Sequence, residues 1–402
     1  MRYKARMSKS EISYREFVAL MALLISLTAL SIDTMLPALP FIANDLNITG
    51  DNTAQYIIGV LFLGFTFGQI FYGPLSDSFG RKPSIYIGIT IFIFGSILSI
   101  SAQNYTIMLM GRLLQGLGVA APRVISTAMI RDKYKGRDMA RVMSLIMSLF
   151  IIVPAIAPTL GQAILYISNW RMIFAVLLCV GLVLMIWVYF RLPETLPKAQ
   201  RIPFNFKEIG RNIFEIIKHK STMGYTICTG LIFAILIGYL NSAQQIFQVY
   251  YDAAEHFPIY FGIIALSLGV ASLLNSYIVR YLGMHKICHY SLIALILISA
   301  TFATLVLFSA QQVPFWQFMV YAITTFFFLG LLFGNLNAIA MEPMGHIAGV
   351  ASATIGVLSS GLSLIIGTII GQLYNDSLLP VIFSFLLLSS IAFCLQLFLD
   401  KE

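Results

Sequence analysis

The chain has 402 residues, 59% of them hydrophobic and only 10% charged, with a formal net charge of +8. Soluble domains carry roughly 25% charged residues, so a water-soluble globular fold is excluded. The composition is that of a chain that lies mostly in lipid.

Apolar runs of about twenty residues cross a bilayer as helices. Such runs are expected near 17–40, 54–76, 83–102, 105–130, 139–165, 170–190, 222–248, 258–279, 286–309, 314–340, 348–374 and 378–399, twelve in all. The first is too long for a signal-peptide core, lacks a small-residue cleavage site and is followed at once by further runs, so it is expected to be retained. Basic residues set the orientation. Arg2, Lys4, Arg6, Lys9 and Arg15 precede the first run, and the others cluster in alternate loops: at Arg81 and Lys82, between 131 and 141, between 191 and 220, at Arg280 and Lys286, and at Lys401. Only Arg112, Arg123 and Arg171 fall elsewhere, and Arg171 alone occupies the opposite loops. This positive-inside pattern puts both termini in the cytoplasm. The loop 341–347 departs from it, with Glu342 and His346 but no Lys or Arg. The net charge therefore reports topology, and no nucleic-acid partner is called for.

Between the sixth and seventh runs lies the long polar stretch RLPETLPKAQRIPFNFKEIGRNIFEIIKHK, residues 191–220. Prolines break helices at its front. Its second part has an apolar stripe at helical spacing with basic flanks, as expected of a helix lying along the membrane surface. The chain thus divides into a first bundle at 1–190, a linker at 191–221 and a second bundle at 222–402. Two echoes between the halves favour a duplicated plan: APTLGQAI (157–164) with IGTIIGQLY (366–374), and GRK (80–82) with GMHK (283–286).

Three ionisable residues fall clearly within the runs: Asp33, Arg112 and Arg123. Asp33 in the first run and Arg112 in the fourth each lie about seven residues from the outer end, roughly 10 Å below the boundary. Charges at such depth are costly facing lipid, so a shared polar cavity is expected. Two readings stay open. In one, the pair is a static salt bridge between helices. In the other, Asp33 exchanges a proton or a cationic substrate while Arg112, which stays charged, tunes it. Arg123 lies nearer the cytoplasmic end, where it can snorkel.

The segment GPLSDSFGRK (73–82) resembles the G-x-x-x-D-R-x-G-R-K signature of the major facilitator superfamily, with Ser78 in place of the usual basic residue. The resemblance implies a gate built from Gly73, Asp77, Gly80, Arg81 and Lys82, in which Asp77 pairs in one conformation only. GRLLQGLG (111–118) resembles the fourth-span motif of proton-coupled members, which carries over to Arg112, Gln115, Gly116 and Gly118. PAIAPTLG (154–161) is similar to a variant of the fifth-span antiporter motif, carried by Pro154, Pro158 and Gly161. DTMLPALP and NWRMIF (169–174) point to the bicyclomycin-resistance (Bcr/CflA) branch of drug:proton antiporters. That resemblance implies an all-α membrane protein of twelve transmembrane helices in two six-helix bundles, with a central cavity open alternately to each side. By the family's plan the cavity draws on the first, fourth, seventh and tenth spans. The polar candidates for substrate there are Gln115, Tyr239, Asn241, Gln244, Gln245, Asn335 and Asn337. Glycines 330, 334, 367 and 371 are expected to mark close helix packing.

The expected activity is proton-driven export of amphipathic compounds or drugs from a bacterial cytoplasm, by a monomer in the inner membrane whose partners are a small molecule, protons and the bilayer. A dedicated exporter of one endogenous metabolite, such as a siderophore or sugar, fits the same motifs. An enzyme is disfavoured, because His219, His256, His285, His289 and His346 are scattered. Cys179, Cys228, Cys288 and Cys394 show no disulfide or metal spacing, so neither metal nor cofactor is expected. Channel action is disfavoured by the shortage of intramembrane charge rings, and ATP drive by the lack of a GxxxxGK[ST] match.

Overall fold

The computed structural model describes residues 12–50, 52–134, 136–201, 206–309 and 313–400, and they are almost wholly helical. The long helices are α1 (Tyr14–Asp33), α3 (Tyr56–Phe79), α4 (Arg81–Ile100), α5 (Tyr105–Lys133), α6 (Gly136–Ile167) and α7 (Arg171–Arg191), then α9 (Lys220–Gln244), α10 (Phe257–Leu282), α11 (Met284–Phe308), α12 (Phe315–Met341), α13 (Ala348–Gln372) and α14 (Leu379–Leu399). Two shorter helices, α2 (Leu39–Asp45) and α8 (Phe206–Lys218), complete the set. Among the described residues, 11 segments are long and apolar enough to cross a membrane, and α6 contributes a shorter apolar stretch at Ile152–Ile167.

The first run differs from its expected form. Instead of one helix to residue 40, α1 ends at Asp33, and a short 3-10 turn at Leu36–Ala38 leads into α2. Pro37 and Pro40 are the cause, since neither can donate the backbone hydrogen bond that a continuous helix needs. Asp33 therefore sits at a helix break rather than mid-helix. In the linker, a 3-10 turn at Lys198–Gln200 follows α7, and α8 comes after it with Ile216 buried and Phe214 and Ile217 exposed. A 13-residue helix of this amphipathic kind buries one face on α9 and α13.

Lipid gives helices no hydrophobic reason to associate with one another, so close packing relies on small residues. Helix α5 shows this on two faces. A Cβ at Gly116 would overlap the Leu61 carbonyl oxygen of α3, and one at Gly118 would strike the Phe92 backbone of α4. Gly64 and Gly68 of α3 and Gly88 and Gly95 of α4 complete the seams from the other side. Three helices are thereby held backbone to backbone. In the later part of the chain α9 packs on α12, α13 and α14, while α10 and α11 pack on α12. The earlier and later helices meet chiefly along α3 with α13 and α6 with α10.

Candidate transport site

Asp33 is 4% exposed, and among the described residues its carboxylate makes no hydrogen bond or ion pair. Arg112 is fully buried beside it in the bundle but does not reach it. Its Nη1 donates to the Ser31 carbonyl oxygen at 3.0 Å and to Gln115 Oε1 at 2.8 Å, and its Nε donates to the Ile57 carbonyl oxygen at 3.2 Å. The salt bridge weighed from the sequence is therefore not made. Arg112 is spent on the backbones of α1 and α3, two residues short of the acid. Gln115 continues the chain by donating from Nε2 to Ser96 Oγ of α4 at 2.9 Å, and Ser96 is a partner that its apolar surroundings in sequence did not reveal.

Two further elements close around Asp33. Gly161 of α6 lies directly against the carbonyl of Thr34, where a Cβ would overlap it. The antiporter-like segment thus supports the break that follows Asp33, and Gly262 of α10 lies close to the Ala155 carbonyl beside Pro154. From the later helices comes Tyr239 of α9, 3% exposed, packed on Phe326 and Phe261 with ring centroids at 4.6 and 5.7 Å. Its hydroxyl is buried and makes no hydrogen bond among the described residues. A carboxylate from α1 and a phenol from α9 are thus both buried and without a hydrogen-bond partner among the described residues.

The other substrate candidates divide by what they already hold. Asn241 donates to the Gly367 carbonyl oxygen at 3.1 Å, and Asn335 to Asn275 Oδ1 at 2.7 Å and the Leu331 carbonyl oxygen at 2.8 Å. These amides tie helices together. Gln244 donates to Gln248 Oε1 at 3.0 Å. Asn337 is exposed, as is Gly334, where an added Cβ would meet nothing. Glycine 334 is therefore no packing contact, unlike Gly330, Gly367 and Gly371, which do abut Leu268, Ile237 and Asn241.

At the linker end, Arg81 is 4% exposed and gathers the gate-like motif. It meets Asp77 at 2.5 Å, Asp132 at 2.9 Å and Ser76 Oγ at 2.7 Å. Glu194 accepts from the backbone N–H groups of Arg81 and Lys82 at 3.0 and 3.1 Å, capping the N-terminus of α4 where the helix dipole favours an anion. Thr195 donates to Asp132 at 3.1 Å, and Lys82 Nζ to the Tyr189 carbonyl oxygen at 3.0 Å. Gly80 has φ +110°, which only glycine adopts freely, and the echo at Gly283 has φ +77° with the same ψ of 158°. Asp132 and Glu194 escaped sequence reasoning because each sits in a polar stretch with nothing local to mark its partner.

At the opposite end one residue spans the two parts of the chain. Asn52 Nδ2 donates to the carbonyl oxygens of Gln372 and Tyr374 at 3.1 and 3.0 Å. Its Oδ1 accepts from Gln245 Nε2 at 2.5 Å and its backbone oxygen from Gln372 Nε2 at 2.8 Å. At the same end, Arg171 pairs with Asp45 at 2.6 Å and stacks 4.1 Å over Trp170, whose Nε1 also donates to Asp45.

This geometry has matches among known proteins. The sequence profile of the Major Facilitator Superfamily matches residues 21–368. The chain belongs to the major facilitator superfamily. A bicyclomycin resistance protein homolog of Haemophilus influenzae is 30% identical over 375 residues, covering 92% of each chain. An uncharacterized MFS-type transporter of Bacillus subtilis, YdgK, is 32% identical over 358 residues, covering 88% of this chain and 87% of its own. The multidrug resistance protein MdtL of Escherichia coli is 29% identical over 336 residues, 83% of each. Within the superfamily the chain thus falls in the bicyclomycin-resistance branch. The fold agrees: the crystal structure of the human organic anion transporter MFSD10 superposes with a TM-score of 0.69 at 15% identity, covering 96% of this chain and 99% of that one. This major facilitator protein is a multi-pass membrane transporter.

Proposed function

We propose that the protein is a proton-driven antiporter that exports small amphipathic compounds, cations foremost, across the bacterial inner membrane by alternating access. Its helices form twelve spans in two bundles, 1–190 and 222–402, joined by a linker that lies in the cytoplasm with both termini. The basic loops support that orientation, and it makes the Asn52 end the outer one. The names of the bicyclomycin- and multidrug-resistance relatives support the substrate class.

The observation that carries the reading is Asp33, a buried carboxylate at the α1–α2 break with no counter-ion among the described residues, the nearby Arg112 being held by other partners. Such a carboxylate can hold a proton or a cation, not both. Loaded from the outside with a proton, it becomes neutral and releases a bound cation outward. When the site faces the cytoplasm, the proton leaves and the restored carboxylate takes up the next cation. Tyr239 offers the cavity a buried, unpartnered hydroxyl and an aromatic face for a cation. Arg112 and Gln115 hold α1 in place at Ser31, and the Asn52 contacts close the outer side in this conformation.

The test is gradient-driven ethidium uptake into inverted vesicles, with wild type and Asp33→Asn at matched protein levels. The variant is expected to lose uphill uptake while keeping downhill exchange of ethidium between the two sides. If Asp33→Asn concentrates ethidium as the wild type does, Asp33 is not the coupling group and the reading is wrong.

A further inference from the structure

A cavity of about 330 Å³ lies at the Asn52 end, away from the Asp33 centre and between the two bundles. Leu39, Pro40 and the buried Gln55 line it from the earlier helices, and Gln244, Gln245 and the exposed Asp376 from the later ones. The volume is that of a small-molecule site, for which roughly 300–1,000 Å³ is usual. Gln55 is 3% exposed, yet its Oε1 has no hydrogen-bond partner among the described residues. A buried amide oxygen left unpaired is costly and marks a place where a donor belongs. Asp376 is exposed, is held at φ +57° in the turn between α13 and α14, and makes no ion pair among the described residues. None of the lining residues is basic. Apolar walls, amide acceptors, one free carboxylate and no cation select an amphipathic organic cation that carries N–H donors.

We propose that this vestibule is a second binding site for the exported cation, occupied on the way out after release from Asp33. The inference rests on the exporter reading for its direction, but its ligand chemistry comes from the cavity alone. Gln245, which lines the cavity, is also the donor to Asn52. A ligand bound here therefore lies against the contact that must break when the outer side opens. The amphipathic walls hold the aromatic body, Gln55 Oε1 accepts from an amino group, and Asp376 supplies the opposing charge at the mouth.

The experiment uses the full chain in sealed vesicles without a gradient, carrying Cys179→Ala and Cys394→Ala to remove the exposed thiols, and Ala54→Cys in the cavity wall. Labelling by a membrane-impermeant maleimide from the outer face is followed as ethidium is added. Ethidium is expected to protect the site, with the half-protecting concentration raised about three- to tenfold by Gln55→Leu and by Asp376→Asn, and little changed by Asp33→Asn. Tetraphenylphosphonium, a cation with no N–H donor, is expected to respond to Asp376→Asn but not to Gln55→Leu. Absence of protection overturns the proposal. So does protection that vanishes with Asp33→Asn while ignoring the two vestibule variants, because it would then be a remote effect of the central site. Should Ala54→Cys fail to assemble, Val249→Cys on the opposite wall gives the same readout. Gradient-driven ethidium uptake, measured in parallel, decides the exporter reading separately: uptake without protection removes only the vestibule site.

Discussion

Arg112 is held with no carboxylate in reach, and that arrangement separates two roles a sequence merges. Three of its hydrogen bonds fix the backbone of α1 at Ser31, that of α3 at Ile57, and Gln115. Lysine, with one nitrogen, can keep part of this set, so Arg112→Lys is expected to retain some coupled transport and Arg112→Ala none. The loss in Arg112→Ala should also lower the unfolding temperature in detergent, since each buried partner left unsatisfied costs about 1–3 kcal/mol. Because no Asp33–Arg112 ion pair is made, the double variant Asp33→Asn with Arg112→Gln is expected to stay uncoupled. Recovery of gradient-driven uptake in that double variant would restore the static-bridge view. Gly116 gives a steric counterpart. With no room for a Cβ beside the Leu61 carbonyl, Gly116→Ala must separate α5 from α3, an overpacking cost of about 1–3 kcal/mol, read as a lower unfolding temperature.

At the scale of elements, the turn between α3 and α4 shows how a short motif acquires its partners. Gly80 makes the turn, Arg81 sinks beneath it onto Asp77 and Asp132, and Glu194 from beyond α7 caps α4. Removing Asp77 leaves Arg81 with Asp132, so Asp77→Ala is expected to keep the fold and hold ethidium binding within a few-fold while slowing turnover in reconstituted vesicles. Unchanged turnover would count against a gating role. Glu194→Ala removes both the cap and its charge from the helix N-terminus, worth about 0.5–2 kcal/mol, and should unfold at a lower temperature than Asp77→Ala. The α1–α2 break is a second case. Two prolines end the helix at Asp33, and Gly161 of α6 fits against the buried carbonyl of Thr34. The later bundle repeats the contact with Gly371 against Asn241, so the echo between residues 157–164 and 366–374 reflects one packing device used twice.

For the whole molecule, the contacts at Asn52 join the earlier and later helices at one end, the outer one on the proposed orientation. Four hydrogen bonds join Asn52 to Gln245, Gln372 and Tyr374. Asn52→Ala removes the three made by the side chain, and net contributions of about 0.5–1.5 kcal/mol per bond mean that on the proposed orientation it should favour the outward-open form by tenfold or more, on the order of 1.4 kcal/mol per factor of ten. The measurement is the rate at which an impermeant maleimide labels an outward-facing position such as Ala54→Cys, which should rise in the Asn52→Ala background. An unchanged rate would mean that the α3–α13 and α6–α10 contacts hold the outer side closed without it. Orientation has its own check: an introduced cysteine at the exposed Ala199 should react only from the cytoplasmic side.

Much of this protein was legible without coordinates, because lipid leaves so few solutions. Long apolar runs had to be helices, the alternation of Lys and Arg proposes their direction, and an acid at residue 33 could not be neutral decoration in such a run. The glycines of the 111–118 stretch were also visible, but not the reason for them. That reason is contact with Leu61 and Phe92, residues some 50 and 25 places away with no local mark of partnership. The same limit applies at the site. Sequence brought Asp33 and Arg112 to one depth, yet depth carries no azimuth, and only packing turned the guanidinium onto the Ser31 and Ile57 carbonyls and left the carboxylate without it. Asn52, Asp132, Glu194 and the vestibule around Gln55 share that origin. Each depends on which helices meet across the bundle, and this is decided where side chains from distant parts of the chain compete for the same space.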